Sequence, residues 1–303
     1  MLFQTKINNI FFYLILLFFS MLFLQCEEEE ERYISKLPVV NCMFSNQDSV
    51  YLHLSLSKST TEPEPNHYIN DAKVEIISPD NTIYTLAPYD VSYLFWGYRT
   101  GYYKLNNTLP EQEGEYTLKI LLADGSIVYA SDEIPPCPEI KSMDAFRDSL
   151  KRKVFINLSF NDPPGIKNYY AITAMVTDYY EKSIEVLDNL IIHSNTTYVE
   201  AEITAAVPQI VFSDKTFEEN SQNILIETSD YFIKQATDSS ILTIRLNAIS
   251  EDFYKYALSY SAQQENEKDF YAEPINVFCN ISSGYGIFAG YSYTSKSIRY
   301  INE

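Results

Sequence analysis

Short alternating segments separated by turn residues run through most of this chain, and they constrain its fold more than any other feature. Residues 50–57 place three leucines on one face, and residues 72–77 repeat the alternation before a turn at Pro79–Asn81. Such segments, rich in Val, Ile, Thr, Tyr and Phe, predict half-buried β-strands. Asp124 and Gly125 add a two-residue signal for a tight hairpin turn. The sequence therefore predicts a mainly β fold.

We expect two successive β-rich domains. Turn signals at short intervals, with no helical period between them, predict an immunoglobulin-like β-sandwich over residues 38–135. The proline-rich segment Ile134–Pro138 interrupts strand pairing and stiffens the chain, so we place a domain boundary there. Residues 136–303 then form a second β-rich domain. One amphipathic helix is predicted within it at residues 252–264, capped by Ser250 and packed on the sheet by one face.

Charge excludes one large class of partners. The chain has 41 acidic and 22 basic residues, and its formal net charge at pH 7 is −19. Proteins that bind nucleic acids rely on clustered Lys and Arg side chains, which this sequence lacks. We therefore exclude DNA and RNA as partners.

The first 25 residues predict a secretory signal peptide. Their apolar run, Ile10–Leu24, is shorter than the roughly 20 residues that a membrane-spanning helix needs. The run ends at Cys26 in a sequence that resembles the lipobox of bacterial lipoproteins, in which the cysteine is acylated after cleavage. Gln25 departs from the lipobox, since a small residue usually precedes the cysteine. The alternative is an uncleaved N-terminal anchor in which Cys26 is an ordinary thiol.

An acidic tether follows this cysteine at residues 26–37. Its unbroken acidic run resembles the surface-export signal of lipoproteins in the Bacteroidota and consists of Glu27, Glu28, Glu29, Glu30 and Glu31. The alternative is a solvated spacer, because like charges keep a linker extended in either case. We expect an outer-membrane protein that is exposed at the cell surface. A lipid anchor on Cys26 is its predicted contact with the membrane.

Motifs of catalysis, metal binding and cofactor binding do not appear. His53, His67 and His193 have no ligand partners at the spacings of zinc sites. Gly284–Gly290 looks like a phosphate-binding loop but lacks its Lys and Ser or Thr, so we expect a bulge or a close backbone approach. The sequence therefore predicts no catalytic residue, metal or cofactor. Paired-carboxylate glycosidases have no short signature, which keeps a surface hydrolase of polysaccharide or peptide as the alternative.

An aromatic-rich segment near residue 100 is a candidate platform for a ligand or a protein partner, because Tyr, Trp and Arg are the usual anchors of interfaces. The alternative is that its rings fill the core of the sandwich. The platform consists of Tyr93, Phe95, Trp96, Tyr98, Arg99, Tyr102 and Tyr103, with Tyr89 nearby.

Three cysteines remain after the lipidation site. Cys42 and Cys137 are a pair that a disulfide can join in an oxidising envelope, and free buried thiols are the alternative. Cys279, beside Val277 and Phe278, is expected in the core.

Four ordered motifs resemble the DUF4249 family of Bacteroidota lipoproteins, a family of unknown function. The motifs are Asn161–Gly165 with Asn168–Tyr170, Phe212–Phe217, Leu246–Ser250 with Tyr254–Tyr256, and Asn280–Tyr291. The resemblance implies a cell-envelope lipoprotein. It also implies an accessory role in nutrient uptake beside a TonB-dependent outer-membrane receptor, and it transfers no catalytic residue.

Overall fold

The computed structural model describes residues 36–59, 67–89, 101–110, 114–148, 150–177, 184–186, 191–193, 198–199, 210–216, 221–229, 241–268 and 271–299. The predicted signal peptide, Cys26 and the acidic run lie outside these residues. Leu37–Glu303 forms one compact unit. In the part of the chain that the structure describes, no helix combines the length and the apolar character needed to cross a membrane.

The mainly β architecture with one packed helix is confirmed. The strands are β1 Pro38–Phe44, β2 Tyr51–Leu56, β3 Lys73–Ile77, β4 Ile83–Tyr89, β5 Tyr102–Lys104, β6 Glu115–Leu121, β7 Ile127–Glu133, β8 Ile140–Asp148, β9 Lys153–Asn161, β10 Tyr169–Thr177, β11 Ile184–Val186, β12 Ile191–His193, β13 Tyr198–Val199, β14 Ile210–Ser213, β15 Ser221–Ser229, β16 Ile241–Ile249 and β17 Tyr285–Arg299. A 3₁₀ helix covers Asp214–Thr216, and helix α1 covers Glu251–Asn266.

Two sheets contain these strands. The larger sheet has 12 strands in the order β11-β10-β16-β17-β1-β2-β5-β4-β3-β6-β7, with β14 also paired to β10. The smaller sheet has five strands in the order β13-β12-β15-β9-β8. Strands distant in sequence are therefore neighbours in space at several points.

The larger sheet folds back on itself to form the N-terminal sandwich. Strand β4 makes the turn, because Ile83–Leu86 pairs with β3 whereas Ala87–Tyr89 pairs with β5. One face of every strand from β1 to β7 contributes to a single apolar core, which includes Leu52, Ile76 and Tyr116. The alternation predicted from the sequence is what gives each strand this buried face.

A second sandwich encloses another core between the smaller sheet and the opposite end of the larger one. Its residues come from β8, β9 and β15 on one side and from β10, β14 and β16 on the other. Phe160 and Tyr170 meet edge to face across it, with ring centroids 5.2 Å apart.

Strand β17 belongs to both sandwiches. Its first part, Tyr285–Gly290, pairs in parallel with Val39–Phe44 of β1. Its second part, Tyr291–Arg299, pairs antiparallel with Ile241–Ile249 of β16. A single 15-residue strand thus continues the hydrogen bonding of one sandwich into the other.

Side chains of β17 alternate between three apolar clusters. Phe288 stacks on Phe44 in the first core at a centroid distance of 4.2 Å, and Ile298 packs against the second core. Ile287 and Ala289 point to the opposite face, where they pack with helix α1.

Helix α1 covers that opposite face of the larger sheet. It begins where the sequence predicts, because the Ser250 hydroxyl accepts a hydrogen bond from the Phe253 amide at 3.1 Å. Phe253 and Ala257 are its buried residues, and they contact Ile249 and Tyr169 in the third cluster.

The segment predicted as a domain boundary runs alongside β17. The Ser292 hydroxyl donates to the Pro135 carbonyl, and the Thr294 hydroxyl donates to the Pro138 carbonyl at 2.9 Å. A domain boundary between residues 135 and 136 predicts that the parts on either side fold independently, and it stays a prediction.

Two glycines of β17 lie where the sequence predicts a close backbone approach. A Cβ at Gly286 would overlap the Val40 carbonyl group, and a Cβ at Gly290 would overlap the carbonyl oxygen of Glu133 at the end of β7. The second contact brings the last strand of the N-terminal sandwich against the shared strand.

We expect Gly290→Ala to lower the free energy of unfolding by about 3 kcal/mol or more, because two backbones must separate to admit the methyl group. Urea unfolding of residues 37–303 measures this. Gly125→Ala is the control: Gly125 has φ +86 but open space around it, so only left-handed strain of about 1 kcal/mol is expected. Equal losses in the two variants would contradict the close approach.

Candidate binding surface

Four neighbouring strands, β1, β2, β5 and β4, turn one face to the first core and the other away from it. Leu52, Leu54 and Tyr103 occupy the buried face. Since successive side chains of a strand point to opposite faces, Tyr51 and His53 lie on the outer one. We call the ring-bearing part of this outer surface the aromatic face, defined by Tyr51, His53, Tyr68, Tyr89, Tyr102 and Lys104.

Tyr51, Tyr89 and Lys104 form one group of the aromatic face. The two tyrosine rings meet nearly edge to face, with centroids 5.7 Å apart and planes at 62°. The Lys104 ammonium lies 5.0 Å from the Tyr51 centroid and 5.2 Å from that of Tyr89. A hydrogen bond with the Tyr51 hydroxyl raises the pKa of Lys104, so this group remains cationic at neutral pH.

His53 holds the second group together. Its ring lies 4.8 Å from that of Tyr102 and 5.5 Å from that of Tyr68, measured between centroids. Tyr68 reaches the sheet through a bridge to Ser55, and the neighbouring Ile69 amide donates to the Leu54 carbonyl at 3.1 Å. The rings therefore stand on hydrogen-bonded backbone.

Solvent reaches these rings. Tyr51, Tyr68 and Tyr89 are 40%, 36% and 41% exposed. Aromatic side chains usually fill cores or interfaces, so several exposed rings on one regular surface mark a place for contact with another molecule.

The structure separates the residues of the predicted platform. Tyr102 lies on the aromatic face, whereas Tyr103 is fully buried in the first core. The Tyr103 hydroxyl donates to the Ile69 carbonyl and accepts from the Ala72 amide at 3.0 Å, and burial raises the pKa of this tyrosine. Tyr103 is thus a core residue. The other platform residues, Tyr93, Phe95, Trp96, Tyr98 and Arg99, lie outside the described residues.

Four members of the aromatic face, Tyr51, His53, Tyr68 and Lys104, were not among the predicted platform residues. Tyr51, His53 and Tyr68 lie 34 to 51 positions before Tyr102 in the printed sequence, so no local cluster marks them. The available signal was the alternation of β2, which places Tyr51 and His53 on the face opposite to the leucines.

Asp132 is a half-buried carboxyl at the end of β7 that joins three elements. It accepts hydrogen bonds from the Ser250 hydroxyl, which caps α1, and from the Gly290 amide of β17 at 2.9 Å. Burial raises the pKa of Asp132 to about 6, although these hydrogen bonds act in the opposite direction. We call a polar group of this kind, which links separate elements through hydrogen bonds, a joint. Asp132 is such a joint and is not part of the aromatic face.

A second joint links the loop before β10 to the loop after β14. Asp162 accepts from the Tyr170 hydroxyl and from the Asn168 side-chain amide at 3.1 Å. The Asn168 backbone amide donates to Asp214 at 2.8 Å. Burial and the nearby Asp214 charge raise the pKa of Asp162, and burial raises that of Tyr170.

A third joint stands before β17. The Asn280 side chain accepts from the Phe288 amide at 3.0 Å and donates to the Phe288 carbonyl at 2.8 Å. Together with Asp162, Asp214 and Ser250, this residue shows what the four sequence motifs do. Each motif supplies a polar group that ties a loop to a strand.

The turn between β1 and β2 is tied to β17 in a similar way. Asp48 accepts hydrogen bonds from the Tyr291 hydroxyl at 3.1 Å and the Tyr293 hydroxyl at 3.2 Å. The Arg245 guanidinium lies 4.4 Å from the Tyr293 centroid and 3.9 Å from Asp48. Burial and the Asp48 charge raise the pKa of Tyr291.

Cysteines and metal ligands do not form a site in the described part of the chain. Cys42, Cys137 and Cys279 are free thiols, and burial raises the pKa of Cys42 and Cys137. Cys42 belongs to the first core, whereas Cys137 packs against the second. Among the described residues, no group of three His, Cys, Asp or Glu side chains is arranged to hold a metal ion.

A comparison with models of protein families gives a match over most of the chain. A family model described as "Domain of unknown function (DUF4249)" matches residues 26–297. No curated protein matches the chain.

Two solved structures show a distant likeness. The Enterococcus faecalis MSCRAMM ACE, described as binding its ligands by the collagen hug model, is 8% identical over 88% of this chain and 96% of its own, with a TM-score of 0.22. The collagen-binding domain of the Erysipelothrix rhusiopathiae surface protein RspB is 7% identical over 85% of this chain and 96% of its own, also with a TM-score of 0.22. A TM-score this low carries no argument about this chain.

The Asp132 joint generates a prediction about pH. Since its pKa is raised to about 6 in the fold and is about 3.9 in an unfolded chain, the folded state holds this proton more tightly. This carboxyl therefore stabilises the fold least above pH 6 and progressively more as the pH falls from about 6 to about 4. We expect Asp132→Asn to remove that part of the pH dependence, as measured by urea unfolding at several pH values.

Asp132→Ala is the matched control, because it deletes the acceptor as well as the charge. Relative to Asp132→Asn, we expect it to cost about 2 kcal/mol across the whole range, since the Ser250 hydroxyl and Gly290 amide lose their partner. An unchanged pH profile in Asp132→Asn would disprove the role assigned to this carboxyl.

Proposed function

Since the chain belongs to the DUF4249 family, we propose that it is a lipid-anchored protein of the cell envelope that acts as a non-enzymatic binding or accessory module. The observation that carries the proposal is the aromatic face. Three exposed tyrosines and a cation stand there on paired strands, so their positions are fixed before a partner arrives. Fixed rings lose little conformational entropy on binding, which is why Tyr is enriched at interfaces.

The N-terminal sequence supports attachment to a membrane. A charged start, the apolar run Ile10–Leu24 and Cys26 occur in the order of a lipoprotein signal, and the compact unit begins only at Leu37. The residues between them include the acidic run, which supports surface export. We place the protein at the outer membrane, exposed at the cell surface.

An outer-membrane receptor is the partner that the family context favours. In this arrangement the protein binds its ligand or receptor through the aromatic face and assists uptake without altering the nutrient. The anchor on Cys26 keeps it in the same membrane as that receptor.

The described carboxyls favour binding over hydrolysis. A raised carboxyl pKa is a common mark of a general acid. Here the two carboxyls with raised pKa, Asp132 and Asp162, both accept hydrogen bonds from groups that hold loops to strands. The raised pKa of each of these carboxyls therefore has a structural cause.

Lipidation is tested on the protein purified from membranes of its own host. We expect the intact mass to lack residues 1–25 and to include the acyl chains on Cys26. Cys26→Ser should retain residues 1–25 and carry no lipid. Cys42→Ser is the control, because Cys42 is buried in the first core, and it should show the processed mass. An unprocessed, unlipidated wild-type chain would overturn the anchor.

The aromatic face is tested by the double variant Tyr51→Ala/Tyr89→Ala. We expect the lipidated wild-type protein, extracted in mild detergent, to retain an outer-membrane receptor in a stoichiometric complex. The double variant should lose at least about tenfold in affinity, since each interface anchor contributes about 1 kcal/mol or more. Mass spectrometry identifies the retained protein.

Tyr129→Ala is the control for that experiment. Tyr129 is 43% exposed, comparable to Tyr51, but it lies on β7. This variant should retain the receptor. Purification of the wild-type protein without any receptor would contradict the accessory role. Equal losses of receptor affinity in the double variant and in Tyr129→Ala would contradict binding through the aromatic face.

A further inference from the structure

We infer that the aromatic face takes a polymer of sugar rings that carries negative charge, such as a polyuronate or a sulfated glycan. This inference rests on the proposed binding function and adds the chemical class of the ligand. Its evidence is the distribution of charge on the strands that carry the rings, the position of Lys104 and the spacing of the rings.

Acidic residues are absent from the four strands that form this surface. Strands β1, β2, β4 and β5, of seven, six, seven and three residues, contain no Asp or Glu, in a chain that has 41. Strand geometry alone does not explain this absence of Asp and Glu, because other strands of the same sandwich contain them. The strands of the opposite sheet, β3, β6 and β7, contain Glu75, Glu115, Asp132 and Glu133. The strands under the rings therefore add no negative charge of their own, whereas the protein as a whole repels anions.

Lys104 supplies a positive charge on this surface. It is the one Lys or Arg among those four strands, and it does not take part in the ion pairs of the described residues. Its ammonium is instead held between the rings of Tyr51 and Tyr89. A cation placed this way can bind a carboxylate or a sulfate without first breaking an ion pair.

The arrangement of rings favours a polymer over a small anion. Tyr51, Tyr89 and Tyr102 come from three neighbouring strands, which are about 4.8 Å apart. The rings thus repeat from strand to strand along one face of the sheet. A pyranose offers both an apolar C–H face for stacking on a ring and hydroxyls that bond with tyrosine hydroxyls. Nucleic acids, which also combine rings with charge, need several clustered cations.

The experiment compares three commercial polymers by isothermal titration at low salt. Residues 37–303 are used, because this compact unit contains all three apolar clusters. The probes are polygalacturonate, chondroitin sulfate and neutral dextran. We expect at least one anionic polymer to bind about tenfold or more tightly than dextran, with affinity falling as salt is raised. Comparison of the two anionic polymers distinguishes carboxylate from sulfate recognition.

Lys104→Met then tests the role of the cation. The methionine keeps an unbranched stem over the rings but removes the charge, so we expect its preference for the anionic polymer to fall about tenfold. Lys119→Met, on β6 of the opposite sheet, makes the same change in net charge and should retain the preference. Circular dichroism and thermal unfolding establish that both variants fold.

Each other outcome overturns the inference in a recognisable way. Equal affinity for dextran and the anionic polymers would show a neutral-glycan face. Loss of preference in Lys119→Met as well would show a general charge effect. No binding of any polymer, while Tyr51→Ala/Tyr89→Ala still releases the receptor, would show a protein-binding face and leave the proposed function intact.

Discussion

Hydrogen bonding along both edges of β17 is the interaction on which the rest of the structure depends. A strand leaves backbone groups unsatisfied wherever a pairing neighbour is missing. For β17 the neighbours are β1, from the start of the described chain, and β16, whose last residue, Ile249, lies 36 positions before Tyr285. Because its two halves use different partners, the two sandwiches share backbone as well as side-chain contacts.

Polar joints fix which elements come together where the two sandwiches share β17. Each packs a charged or amide side chain where water is scarce, so leaving one partner unmade costs more than the bond itself contributes. Asp132 illustrates this, because one carboxyl fixes the end of β7, the cap of α1 and the backbone of β17 together. The aromatic face inherits its rigidity from this arrangement, since β2 pairs with β1 and β1 pairs with β17 in the same sheet.

Local chemistry explains which parts of the fold the sequence could predict. The alternation in β2, the Ser250 cap and the Asp124–Gly125 turn depend on neighbours in sequence, and all three occur in the structure. The parallel pairing of β1 with β17 has no local signal, because residues more than 240 positions apart make it. Long-range pairing of this kind is decided by the cores as a whole.

The aromatic face shows the same limit at the level of single residues. Tyr102 and Tyr103 are adjacent and chemically identical, yet one lies outside and the other in the core. Which of the two is buried depends on the register of β5 against β2 and β4, and a shift by one residue would exchange them. The three-residue strand contains too little alternation to fix that register from sequence.

The place of β17 after all the other described strands has a consequence for when the protein folds. Phe288 completes the first core, and the strand that carries it leaves the ribosome after every other described strand. The N-terminal sandwich therefore remains open while the rest of the chain is made, and its closure requires a contact between the two ends of the described chain, which is slow to form.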